Sequence, residues 1–158
     1  MRFAYVALST WKPVYPLGGA RIRYRPIVPI RIIGPQVIPP IDGCIDSASD
    51  DTVFSERIAH LLGIDLTNAP QGASRPVGQA RVPVHYAQVT LWLTDWFETC
   101  EWPAIVGFAD VPMRWALFGH AGFLDFFDVD LRGARRDVLL TPNSAFPGRH
   151  MVHRPPPP

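Results

Sequence analysis

The sequence predicts an all-β domain, a mostly antiparallel barrel with one or two short helices. Three observations lead there. Short runs rich in Val, Ile, Leu, Phe and Trp alternate with clusters of Gly, Pro, Asp and Ser, the spacing of short strands joined by turns. The chain has 18 prolines among 158 residues, many of them in the first 40 positions and at the end. Proline lacks a backbone donor and breaks helices, so neither region holds a long one. One stretch, after Ser55, carries a helix start and a helix stop within a few residues of each other. No internal repeat is present, and the length suits one domain with a substantial core.

Residues 1–20 read as an N-terminal extension. Over residues 21–25 charged and apolar side chains alternate, as in a half-exposed strand. Pro26, Pro29 and Pro35 then predict that its continuation is an edge strand, because proline cannot donate to a second neighbour. Residues 41–45 form a short strand that delivers Asp46. Ser55 is placed to cap a helix over residues 56–62, and Gly63 can take the left-handed conformation just past its end. Residues 89–93 and 104–108 are strands by composition, joined by a polar and aromatic link from Thr94 to Pro103. Residues 127–131 and 136–140 flank a turn at 132–135 and read as a hairpin. Residues 143–158 contain Pro, Gly and His, close on four prolines, and read as an extended or disordered tail. The domain itself is then residues 21–142.

Composition narrows the partners. Net charge is +1 and the arginines are spread along the chain, which argues against nucleic acid. No stretch approaches the roughly 20 apolar residues of a membrane-spanning helix, and the N-terminus lacks the apolar core and cleavage site of a signal peptide. The expectation is a cytoplasmic domain with no membrane partner. Cys44 and Cys100 stand in no disulfide or metal-ligand spacing and read as reduced core residues. His150 and His153, without a third ligand, do not make a metal site, so neither metal nor cofactor is expected. Trp92, Trp96, Phe97 and Trp102 read as core or as a subunit contact, and Trp115 and Phe123 as core.

Chemistry concentrates in Gly43-Cys44-Ile45-Asp46-Ser47-Ala48-Ser49-Asp50-Asp51-Thr52-Val53-Phe54, an apolar strand running into a carboxylate, a hydroxyl and small residues. A carboxylate at a buried strand end is costly unless hydrogen-bonded. The Ser47 hydroxyl and the compact Ala48 and Ser49 let backbone N–H groups close around it. The plainest role for Asp46 is to close a turn through its own backbone. Downstream, Ala116-Leu117-Phe118-Gly119 is followed by His120-Ala121-Gly122-Phe123. Between the two lies the strand Val84-His85-Tyr86-Ala87-Gln88-Val89, with Gly72 and Gly78 just before it.

These segments, in this order, resemble the retropepsin family of aspartic proteases, the retroviral proteases and their bacterial relatives. In that family an Asp-Thr/Ser-Gly triplet precedes Ala-Asp-Asp-Thr-Val, which Ser49-Asp50-Asp51-Thr52-Val53 nearly reproduces. The resemblance implies a retropepsin-like acid protease barrel, and a peptide or protein as substrate. Bilobal relatives carry two aspartate loops per chain; this chain carries one, so a homodimer is implied. Asp46 would be catalytic, Ser47 would bond across the dimer beneath the aspartate pair, and Ala48 would support that pair. Ser49, Asp50 and Asp51 would meet substrate, under a flap hairpin marked by Gly72 and Gly78. Gly119 and His120 would be structural, ahead of a short C-terminal helix.

Two positions depart from the pattern. Ala48 stands where the family has glycine, which allows close backbone approach to the peptide. His120 stands where the retroviral pattern has arginine, and imidazole cannot supply a planar bidentate fork. An aspartic endopeptidase with an Asp46 dyad is therefore the leading expectation. The alternative is a catalytically impaired retropepsin-fold module for peptide binding or dimerisation, with a small barrel bearing only surface acids a third.

Overall fold

Strands account for most of the computed structural model, which describes residues 1–74 and 81–153. In chain order they are β1 (Arg2–Ala4), β2 (Val6–Val14), β3 (Ala20–Arg25), β4 (Ile27–Ile33), β5 (Ile41–Ile45) and β6 (Val53–Ser55). After helix α1 (Glu56–Leu62) come β7 (Gln71–Ser74), β8 (Val82–Thr94), β9 (Glu98–Ala109), β10 (Ala116–Phe118), β11 (Phe127–Arg132), β12 (Asp137–Pro142) and β13 (Arg149–Val152). Hydrogen bonding runs in the order β9, β6, β10, β5, β4, β8, and β8 pairs back to β9, closing a six-stranded barrel. β13 and β7 lie outside that ring on β9 and β8, β1 joins β12 and β11 in a separate sheet, and β2 and β3 make a two-stranded ribbon. The all-β barrel expected from the sequence is what the chain forms.

The β8–β9 hairpin is the spine, in register from Val84 opposite Ala109 to Thr94 opposite Thr99. Its inward residues recur with period two, Val89, Leu91 and Leu93 on β8 and Cys100, Trp102, Ala104, Val106 and Phe108 on β9, so one face of each strand is core. The expected link from Thr94 to Pro103 is therefore mostly strand. The turn needs only residues 95–97, because the Asp95 carboxylate accepts from the N–H groups of Phe97 (3.0 Å) and Glu98 (2.8 Å) and Trp96 takes φ 75°. Pro103 falls between the part of β9 paired to β13 and the part paired to β6, where no second neighbour asks for its N–H.

β4 corrects a second expectation, since it lies inside the sheet between β5 and β8 rather than at an edge. Its proline is tolerated because the strand changes partner midway. Residues 27–30 pair with β5 and residues 31–33 with β8, so Pro29 has one paired neighbour only. The expected tail corrects likewise: residues 149–152 are β13, antiparallel to β9, and Phe146 packs on the Trp102 ring at 5.7 Å between centroids. The first few residues are also built in, through β1 and the buried Phe3.

Helix α1 has the predicted bounds. Ser55 is its N-cap residue by conformation, but its hydroxyl donates to Val111 O (3.0 Å) instead of to the helix, and Gly63 ends it at φ 71°. Beyond β10 the expected short helix is a single 3-10 turn, Leu124–Phe126. The core centres on Trp102, fully buried, whose ring meets Phe123 and Phe127 edge-on and whose Nε1 donates to Gly122 O (3.0 Å). Trp96 and Phe97, by contrast, are 87% and 67% exposed at the hairpin tip. Cys100 is a free thiol that burial pushes up to about 12, and Cys44 is free and half-buried. Among the described residues no helix is long and apolar enough to cross a membrane.

Candidate active site

The site is built from a strand that ends, a loop, and a strand threaded between them. β5 delivers Asp46, the loop 46–52 follows, and β6 leads away. β10 lies between β5 and β6, parallel to the first (Gly43 opposite Ala116, Ile45 opposite Phe118) and antiparallel to the second. Gly43 makes this possible, because the Phe118 ring occupies the space a side chain there would need. The residues leaving β10 then clamp the loop. Asp46 N–H donates to Phe118 O (3.1 Å), His120 N–H to Ser49 O (3.0 Å), Ala121 N–H to Asp50 O (2.8 Å) and Thr52 N–H to Ala121 O (3.0 Å).

Within the loop, Asp46 accepts the Ala48 N–H at Oδ1 (3.0 Å) and Ser49 N–H reaches the Asp46 carbonyl (3.1 Å). The plain turn-closing role is thus present, and it occupies one carboxylate oxygen. Asp46 is half-buried, with Ser47 and Ala48 exposed beside it. Ser49 Oγ donates to Asp51 O (2.7 Å), bracing the far side of the loop. Gly119 is required by space: a Cβ there would strike the Asp51 carbonyl and come within 2.6 Å of Ser49 O. His120 faces Ser47 O (Nε2, 3.2 Å) and the Asp125 carboxylate (3.9 Å), not the side chain of Asp50.

Asp51 is not a solvated surface acid. It accepts a hydrogen bond from Tyr86 Oη on β8 (2.7 Å), and that bond, with burial second, pushes the phenol up to about 12. The same ring packs on Gly72 of β7, where a Cβ would lie 2.7 Å from it. Tyr86 therefore joins the β7–β8 hairpin to the aspartate loop. It was missed in the sequence, where nothing among its strand neighbours His85, Ala87 and Gln88 points to Asp51. Gly78, the other expected flap glycine, lies outside the described residues.

Tyr86→Phe should lower stability by about 1.5 kcal/mol, the scale of a hydrogen bond to a charged acceptor. The native phenol holds its proton more tightly than the unfolded one. Its contribution is complete below the unfolded value near 10 and is lost as pH rises toward about 12. Denaturant unfolding of both proteins across alkaline pH checks this: the difference should shrink with rising pH, and a constant gap would deny the bond.

A groove of about 810 Å³ lies elsewhere. It runs between α1 and residues 110–116 and is floored by Ile41 and Ala116, the first residues of β5 and β10, whereas Asp46 and Gly119 follow their last. His150 bonds Glu98 (2.7 Å) and His153 bonds Thr99 (2.8 Å), and among the described residues no group of three potential ligands could hold a metal.

No family model and no curated protein matches the sequence. Solved structures do resemble it in fold. The EIAV protease, solved with an inhibitor, is similar over 61% of this chain and 82% of its own, at 16% identity and a TM-score of 0.41. The retroviral protease-like domain of Ddi1 from Leishmania major is similar over 77% of this chain and 98% of its own, at 13% identity and a TM-score of 0.48. These are likenesses of shape, and the chemistry rests on the loop itself.

Proposed function

We propose that this chain is a retropepsin-like aspartic endopeptidase that acts as a homodimer, with Asp46 of each copy forming the catalytic pair. The observation that carries the reading is Asp46 itself: a half-exposed carboxylate at the end of a core strand, in a loop clamped by four backbone hydrogen bonds from residues 118–121 and Thr52. Two such carboxylates held close together cannot both ionise easily, so they share one proton, the established logic of aspartic proteases. The ionised member takes a proton from water as its oxygen attacks the peptide carbonyl. The protonated member gives its proton to the carbonyl oxygen. Collapse of the resulting diol breaks the C–N bond, and the amine leaves with a proton from the pair. No metal or cofactor is needed. The peptide would lie extended between the β7–β8 hairpin and the loop, adding main-chain hydrogen bonds with side chains in alternating pockets.

Hydrolysis of a fluorogenic peptide library tests this. The rate should rise faster than linearly with protein concentration until dimers dominate, and should be bell-shaped in pH because one proton must reside on the pair. Linear dependence at every dilution, or cleavage insensitive to pH, would sink the dimeric dyad.

Ala48 bears on the impaired-module alternative. It is exposed and does not occupy a positive φ, so the fold accommodates its methyl group and any crowding falls on the bound peptide. Ala48→Gly should therefore raise turnover while costing up to about 1 kcal/mol of stability through chain entropy. Turnover no higher than the parent's would show that the methyl group is harmless.

A further inference from the structure

The β2–β3 ribbon projects from the barrel. Its strands pair only with each other, from Val6 opposite Arg25 to Ser9 opposite Ile22, and every residue of β3 is exposed. Trp11 and Tyr15, near the tip, are 98% and 91% exposed. A lone two-stranded hairpin is marginal in water, and Trp, Tyr and Arg are the side chains that dominate interface energetics. On its inner face Tyr24 stacks under the Arg136 guanidinium of the β11–β12 turn at 3.8 Å. Alternation then turns Arg21, Arg23 and Arg25 to the opposite face. Among the described residues no carboxylate lies within ion-pair distance of these three.

The root of the ribbon gives it meaning. Ile45 N–H donates to Pro26 O (3.2 Å) and Ile27 pairs with Cys44, so Arg25 stands level with Asp46. A nine-residue strand reaches about 30 Å. The arm thus leaves the barrel beside the aspartate loop and is long enough to lie along whatever faces that loop.

We propose that this ribbon is an arm that clasps a second copy of the chain. The inference rests on the dimeric reading above: if two Asp46 loops face each other, the second copy sits directly across from the arm's root. Charge agrees. Each protomer presents exposed Asp50 and Asp125 at its loop end and an unpaired arginine row on its arm, so a two-fold axis would bring each arm to the other's acids.

Sedimentation velocity over a concentration series, on the full chain, decides the matter. The proteins are wild type, Arg21→Glu with Arg23→Glu, Trp11→Ser, and Asp46→Asn. Wild type and Asp46→Asn should dimerise alike. The arm variants should dissociate at least about tenfold more readily with unchanged circular dichroism, and added salt should weaken wild type more than the double variant. If the double variant does not fold, Trp11→Ser alone carries the comparison. A wild type that stays monomeric overturns the arm, as do equal affinities across the set. So does a monomer whose arginines instead bind an acidic peptide or an oligonucleotide. A dimer broken by the arm variants that hydrolyses nothing would remove the peptidase reading and leave the arm standing.

Discussion

Asp46→Asn should abolish peptide hydrolysis, by at least about 10⁴-fold, while leaving the fold intact. Positioned acid–base groups contribute about 10²–10⁴-fold each, and in a homodimer one substitution removes both members of the pair. The amide is nearly isosteric with the carboxylate and keeps an oxygen to accept the Ala48 N–H, so the turn survives. Because Asp46 is only half-buried, the stability change should stay within about 1 kcal/mol. Peptide turnover and thermal unfolding measured side by side separate chemistry from folding. A mutant that cleaves at the parental rate places catalysis elsewhere; one that unfolds with its activity says that Asp46 is a structural turn residue.

Gly119→Ala should be among the more damaging small substitutions in the molecule, costing about 3 kcal/mol. The added carbon would strike the Asp51 carbonyl and crowd Ser49 O, and both are backbone atoms of the aspartate loop. Backbone cannot swing aside as a side chain can, so the clamp formed by Asp46, Ser49, Asp50 and their partners after β10 must open. On the proposed reading, activity should fall further than stability, since the shift lands on the aspartate loop. The control is Gly133→Ala in the β11–β12 turn, where nothing lies within 4 Å and the change should stay within about 1 kcal/mol. Denaturant unfolding of the pair gives the comparison; similar losses would show that the loop tolerates displacement.

Elements with local signals were legible in the sequence. β5, α1 with its Gly63 stop, and the β11–β12 hairpin each sit where their own residues place them. The failures have one cause, that a strand's neighbours lie far away in sequence. Proline argued against β4 as an interior strand, yet Pro29 sits where only one side is paired. β13 looked like a tail because its partner is β9. The site shows the same division. The loop from Asp46 to Thr52 is contiguous and could be read as a unit, whereas the bond from Tyr86 to Asp51 spans 35 positions and leaves no local trace. His120, in the place of the family's arginine, turns its ring to Asp125, within the same turn.

The threading of β10 between β5 and β6 has a consequence for how the protein is made. When a ribosome releases Asp46, the residues that will clamp its loop, 118–121, do not yet exist. At ordinary elongation rates they follow on the order of ten seconds later. Until then β5 and β6 flank an empty slot and the carboxylate has no ordered setting. Filling that slot with a late segment makes a contact of long sequence separation, the kind that folds slowly. Under the proposed peptidase reading, a nascent chain built this way stays silent beside its neighbours on the polysome, and its chemistry is armed only after nearly the whole barrel has been synthesised.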